Sequence, residues 1–205
     1  MLNSQYLSAD GSLFSDPTLY RSLVGALQYL TITHPDIAHA VNSVSQFLHA
    51  PTEDHFLVVM YILHYVKDTI RFGLTFHPSA TPGALVAYSD ADWAGCPDTR
   101  HSTTGYSIYL GDNLISWSAK KQPTVLCSIF EFEYHALAHT ATELIWLTQL
   151  LCDLHVPIPQ PPLFLCDNKN AIFLSSNPIF LKRAKHVELD YHFFRELVVA
   201  EKFHT

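Results

Sequence analysis

The chain has 205 residues, of which 48% are hydrophobic, 13% aromatic and 15% charged, a balance that excludes disorder and suits one substantial core with a small second lobe. Its longest apolar run, Leu144 to Leu154, is broken by Thr148, Gln149 and Asp153 and falls far short of the roughly 20 residues a bilayer requires. Without a basic, apolar leader at the start, a soluble intracellular protein of cytoplasm or nucleus is expected, with no membrane contact and no small-molecule cofactor.

The first third reads as helices. Residues 1–16 carry no periodic pattern and are expected to be disordered or a linker. Asp16-Pro17 is an N-cap followed by a first-turn proline, opening a stripe through Leu19, Leu23, Leu27 and Leu30. His34-Pro35-Asp36 restarts the same grammar, with Ile37, Val41, Val44 and Leu48 on one face. Pro51-Thr52, with Glu53 and Asp54 where a helix dipole favours acids, opens a third helix to about Val66. Residues 17–70 are therefore expected to form a small all-helical lobe.

At Gly73 the hydrophobic period changes from 3.6 to 2. LTFHP and LVAYSD read as strands, and GYSIYL-GDN-LISWSA as a hairpin turning at Gly111-Asp112-Asn113. A long helix is expected from about Glu131 to Leu154, ended by Val156-Pro157, with its buried stripe through Tyr134, Leu137, Ala141, Leu144, Thr148 and Leu151. LFLC then reads as a short strand covered on both faces, followed by helices over 168–175 and 187–202. This order predicts a mixed sheet with helices packed on it, an α/β or α+β architecture. The four cysteines form no CxxC pair, so reduced thiols are expected, and Cys152 with His155 lacks the second pair that a zinc site needs.

Two apolar strands finish in an acid, at Asp90 and at Asp167. A turn or cap would explain either one alone. On the long helix Glu133 lies about 40° around the axis from Leu137, whereas Glu131 lies about 120° away, so Glu133 is the acid on the sheet side. Three converging carboxylates repel one another unless cations neutralise them, and hard oxygen ligands suit Mg²⁺ or Mn²⁺. Such cations also bear on the net charge of −7, which by itself repels phosphate. The segment Lys182, Arg183, Lys185, His186 and the pair Lys120-Lys121 are the local basic groups.

The motifs YRSLVGALQYL, HPDIAHAV, HYVKDT, YSDADWAGCPDTRHSTTGY, LISWSAKKQPTV, CDNKNAIFLSSNP and AKHVELDYHFFRELV, in this order, resemble the C-terminal part of copia-type retrotransposon Pol polyproteins. The resemblance runs from about Leu19 to Val199. It implies the end of a reverse transcriptase, as a helical connection remnant over 17–70, followed over 73–205 by a ribonuclease H-like domain, an α/β mixed sheet with packed helices. The polymerase motif of paired aspartates is not in this chain, so the resemblance implies no polymerase active site.

What the family implies of the site is two-metal hydrolysis of RNA in RNA:DNA hybrids through Asp90, Glu133 and Asp167, which would hold two Mg²⁺ or Mn²⁺ ions. Asn168, Lys182, Lys185 and His186 are the implied nucleic-acid contacts, and the rest of the polyprotein is the implied protein partner. The family's domain continues into a fifth strand and a helix carrying a fourth aspartate, which are not in this chain; Glu188 and Asp190 are candidate substitutes, placed instead on the preceding helix. Phe130 and Phe132 stand where the family has small residues, and several of the 13 histidines stand where it has Arg or Tyr. These departures carry the competing expectation, a truncated and degenerate copy that is a non-catalytic relic binding only nucleic acid or a protein partner.

Overall fold

A computed structural model describes residues 7, 10–78, 83–92, 102–122, 129–166 and 196, giving the backbone alone for 91, 92 and 129–134. In chain order the elements are α1 (Pro17–Leu30), a 3₁₀ turn (Pro35–Ile37), α2 (Ala38–Ser45), α3 (Glu53–Asp68), β1 (Leu85–Asp92), β2 (Thr103–Leu110), β3 (Asn113–Lys121), α4 (Ile129–Asp153) and β4 (Leu163–Cys166). The expected helices over 168–175 and 187–202 lie outside the described residues, except that Glu196 is helical and exposed.

Capping sets the helix starts. The Asp16 carboxylate accepts from the amides of Thr18 at 3.1 Å and Leu19 at 2.9 Å, satisfying two donors that a helix start leaves over. Thr52 caps α3 reciprocally: its hydroxyl accepts from the His55 amide at 3.4 Å, and His55 Nδ1 accepts from the Thr52 amide at 3.0 Å. Histidine here does what Glu or Gln does in the usual capping box. His55 is fully buried, its ring stacked on Phe47 with centroids 3.8 Å apart.

The helical stripe of α1 differs from the leucine stripe expected. Tyr20, Val24 and Leu27 are its buried face, while Leu19 is 43% exposed. The cause is the Tyr20 hydroxyl, which donates to the Val44 carbonyl at 2.7 Å and so lets the whole ring be buried with its polar tip satisfied. Burial pushes that phenol up to about 12. On the second helical segment Ile37, Val41 and Val44 are buried as expected. Part of the stretch expected to be disordered or linker is tied down. Leu13 bridges to Thr52, the Phe14 amide donates to the Pro51 carbonyl at 2.9 Å, and the Phe14 ring stacks on Phe56 at 4.1 Å.

The sheet is mixed, with strand order β3-β2-β1-β4. β1 runs antiparallel to β2 and parallel to β4, and β2 with β3 forms the expected hairpin. Its turn has Gly111 at φ 59°, and an added Cβ on Gly83 would come within 2.7 Å of the Gly111 amide, so both glycines are needed there. The strand expected over LTFHP does not form. Residues 74–78 hold no ladder, and the His77 backbone instead pairs with the Asn113 side chain at 2.7 and 2.9 Å.

The helix α4 covers one face of the sheet. Leu137, Ala141, Leu144 and Leu151 of its expected stripe are buried against Leu85, Ala87, Ile108 and Phe164; Thr148 is half-buried, and the side chain of Tyr134 is not among those described. The α/β mixed sheet with packed helices expected from the sequence is the one observed. The helical lobe sits on the opposite face of β3, where Trp117 Nε1 donates to the Thr31 carbonyl at 3.0 Å and Lys121 Nζ to Gln46 Oε1 at 2.9 Å.

Thr52 is a buried cap shared by α3 and the segment before α1. Thr52→Ala is expected to lower stability by about 1 kcal/mol, the ordinary loss for an N-cap, measured as a lower urea midpoint with unchanged slope.

Candidate active site

The register places the site. Among the described residues β4 pairs with β1 to Ser89 opposite Cys166, and β2 pairs beside β1 to Asp92 opposite Thr103. Asp90 follows the last described parallel pair, and β1 runs two residues further than the sequence suggested. The chain leaves β1 toward β2 on one side and returns through α4 to β4 on the other. Sheets of this kind bind ligands in the crevice outside the carboxyl ends of strands at such a reversal. Here Tyr88, Ser89, Asp90, Leu165 and Cys166 line an open cleft of about 460 Å³.

Pleat alternation divides these residues between two faces. Leu85, Ala87 and Ser89 are buried on the α4 side, and the Thr140 hydroxyl donates back to the Ala136 carbonyl at 2.9 Å while accepting from Ser89 Oγ at 3.2 Å. Tyr88 and Asp90 are exposed on the other face. The helix precedes β4 and must run against it, so its first turns lie toward the end of β1 that carries Asp90. Position 133 is seven residues before Thr140, which puts it about 20° around the helix from Thr140, on the sheet-facing side.

Of the candidate catalytic and hybrid-contacting residues, Asp90 alone has a described side chain. Glu133 is placed on α4 by its backbone. Asp167 follows Cys166 in the chain and lies outside the described residues, as do Asn168, Lys182, Lys185, His186, Glu188 and Asp190. Among the described residues no three His, Cys, Asp or Glu side chains gather closely enough to hold a metal ion. Asp90 offers an exposed hard-oxygen carboxylate at the cleft, the donor type a divalent cation of the Mg²⁺ class takes.

A second polar cluster, missed from sequence, lies where α4 crosses the hairpin. Ser116 Oγ donates to Glu143 Oε1 at 3.1 Å and stands 3.5 Å from the Tyr106 hydroxyl, while the His139 ring lies 5.7 Å from that of Tyr106. Only the i, i+4 spacing of His139 and Glu143 is visible in sequence. Their partners on β2 and β3 are brought by the fold. Burial, reinforced by the charge of Glu143, holds the Tyr106 phenol above its usual range. Partial burial holds the His139 imidazole below its own; Glu143 opposes this, while His135 and Lys120 add to it.

A histidine whose pKa is lowered by folding binds protons more readily in the unfolded chain, so its contribution to stability is present above the unfolded value of 6.5 and is lost as pH falls below it. His139→Gln is therefore expected to lose less stability than the parent between pH 7.5 and 5.5, measured by urea midpoints at both. Thr140→Val, which leaves the buried Ser89 hydroxyl without that bond, is expected to cost about 1 to 3 kcal/mol at either pH.

No family model matches the chain. Among curated proteins it is 47% identical over 188 residues to the "Retrovirus-related Pol polyprotein from transposon RE1" of Arabidopsis thaliana, covering 92% of this chain and 13% of that one. It is 41% identical over 180 residues to the corresponding polyprotein from transposon TNT 1-94 of Nicotiana tabacum, covering 87% of this chain and 13% of that one. Among solved structures, the foamy viral protease-reverse transcriptase dRH in complex with double-stranded DNA aligns with a TM-score of 0.48 at 11% identity, over 97% of this chain and 32% of that chain, a likeness too weak to carry weight. The chain spans 13% of the length of the curated polyproteins it matches, and on that sequence identity it belongs to the copia-type retrotransposon Pol family.

Proposed function

We propose that this chain is a metal-dependent ribonuclease H module of a retrotransposon Pol polyprotein, hydrolysing the RNA strand of RNA:DNA hybrids. The observation that supports it most is the position of Asp90, an exposed carboxylate at the cleft beside the last described pair of the parallel β1–β4 ladder, where the strand order reverses. The ligands in this reading are Asp90, Glu133 and Asp167. Glu133 stands on the sheet-facing side of α4, and Asp167 directly follows the last residue of β4.

When bound, two Mg²⁺ or Mn²⁺ ions supply a nucleophilic water and charge stabilisation for the leaving oxygen. Asp90 presents its carboxylate to solvent, and Ser89 and Thr140 fix the strand to α4 beneath it, so that the acid's backbone is held by a buried hydrogen bond. Asn168, Lys182, Lys185 and His186 are the proposed contacts to the hybrid, and the 2′-hydroxyls in its shallow minor groove are the feature that distinguishes RNA from DNA. Glu188 and Asp190 remain outside the catalytic set in this reading.

The competing reading, binding without catalysis, draws on Phe130 and Phe132, three residues and one residue before Glu133 in sequence. One assay separates them. Purified protein with Mg²⁺ or Mn²⁺ and a labelled RNA:DNA hybrid is expected to release RNA fragments. Asp90→Asn is expected to abolish that release while leaving the urea midpoint nearly unchanged, since the side chain is exposed. Hybrid binding with no metal-dependent cleavage, or cleavage that persists in Asp90→Asn, would establish the non-catalytic reading or a contaminating nuclease instead.

A further inference from the structure

The sheet face that carries Asp90 has a feature the acids do not explain. Asp90 lies opposite Gly105, and Gly105 opposite Ala119, so one cross-strand row reads acid, bare backbone, methyl. The next row reads Tyr88, Ser107, Trp117. Trp117 is held by the helical lobe through Thr31. Between that lobe and Leu165 of β4, the floor over β2 and β1 consists of Gly105, Ser107, Tyr88 and Asp90.

Neither backbone nor packing calls for a glycine at 105. Its φ is not in the left-handed region, and among the described residues an added Cβ would meet only the Ser118 carbonyl at 3.5 Å, an ordinary contact. A glycine inside a strand weakens it and often marks where something approaches the backbone closely. Tyr88 points the same way. It is 48% exposed, lines the Asp90 cleft, and is steadied edge-to-face by Tyr109 with centroids 5.8 Å apart. An aromatic ring held by a neighbour and left open on one side loses little freedom when a planar or sugar group packs on it.

We infer that this strip is a nucleotide-binding platform adjoining Asp90: Tyr88 packs against a base or ribose of the hybrid, and Gly105 keeps the floor bare so that the strand can come close. The inference rests on the function proposed above and extends it to residues that hold no metal. The occupant is nucleic acid because the strip is continuous with the cleft of the acid, and because aromatic faces accept any base without reading its sequence.

Fluorescence anisotropy with a labelled RNA:DNA hybrid in EDTA reads binding apart from cleavage. Tyr88→Leu keeps apolar packing on Tyr109 but removes the ring, and is expected to weaken binding about fivefold or more, the low end for losing one aromatic–base contact. Tyr88→Phe is expected to bind like the parent. Gly105→Val, which favours the strand but fills the floor, is expected to raise the urea midpoint while weakening binding. Parent-like binding by both Tyr88→Leu and Gly105→Val, each folded by circular dichroism, overturns the platform and leaves the proposed function standing. Absence of hybrid binding by the parent chain overturns both.

Discussion

The parallel pairing of β1 with β4 is the constraint on which the rest depends. A parallel neighbour cannot be reached by a tight turn, so the chain must cross the sheet, and α4 is that crossover. The crossing helix needs a continuous apolar stripe, which Leu137, Ala141, Leu144 and Leu151 supply, and the strand it returns to must bury its helix-facing side, which accounts for Phe164 in LFLC. Burying such a phenylalanine contributes about 1.5 to 3 kcal/mol. The same crossover brings the ends of β1 and β4 together and opens a crevice beyond them. Stability and the place of the candidate site thus follow from one connection.

Charge is the second constraint. A chain at −7 repels a polyanion at long range. The sheet partly answers this locally, since Lys121 and Lys120 face Thr103 and Thr104, and these face Asp92 and Ala91. Two strand spacings, about 10 Å, separate the lysine rows from β1, which is near the Debye length of about 8 Å at physiological salt. The lysines therefore soften the field at this end of the sheet without neutralising the acids. The rest of the repulsion would be met, in the proposed chemistry, by cations held at the acids.

Much of this was legible in the sequence because local rules govern it. Asp16-Pro17 and Thr52 name their helix starts through backbone donors only two or three residues away, and Gly111-Asp112 names its hairpin. The switch of period after Gly73 separated helices from strands, although 74–78 lacked a partner strand and stayed unpaired. Long-range contacts were the illegible part. The stripe of α1 turned on a hydroxyl 24 residues from its acceptor, His55 served as a capping residue, and the Glu143 cluster joined α4 to two strands that precede it by tens of residues. At the site, sequence identified Asp90 as an acid at a strand end, but only the cross-strand register gave its face and its neighbours Tyr88 and Gly105.

That face limits how any active site here can be built. Ser89 turns toward α4 and Asp90 turns away from it, so a ligand that touches both Asp90 and the first turns of α4 cannot lie flat on either face of the sheet. It must sit past the last described β1–β4 pair, beside Asp90, rather than over one face. The cleft lined by Tyr88, Ser89, Asp90, Leu165 and Cys166 contains residues from both faces, as a cleft wrapping that end should. In the function proposed above, a phosphodiester would sit beside Asp90 there and the sugars next to it would pass onto the open face. The alternation of a single strand thereby sorts the proposed work, with metal-binding groups around the rim and a platform for the substrate on the floor.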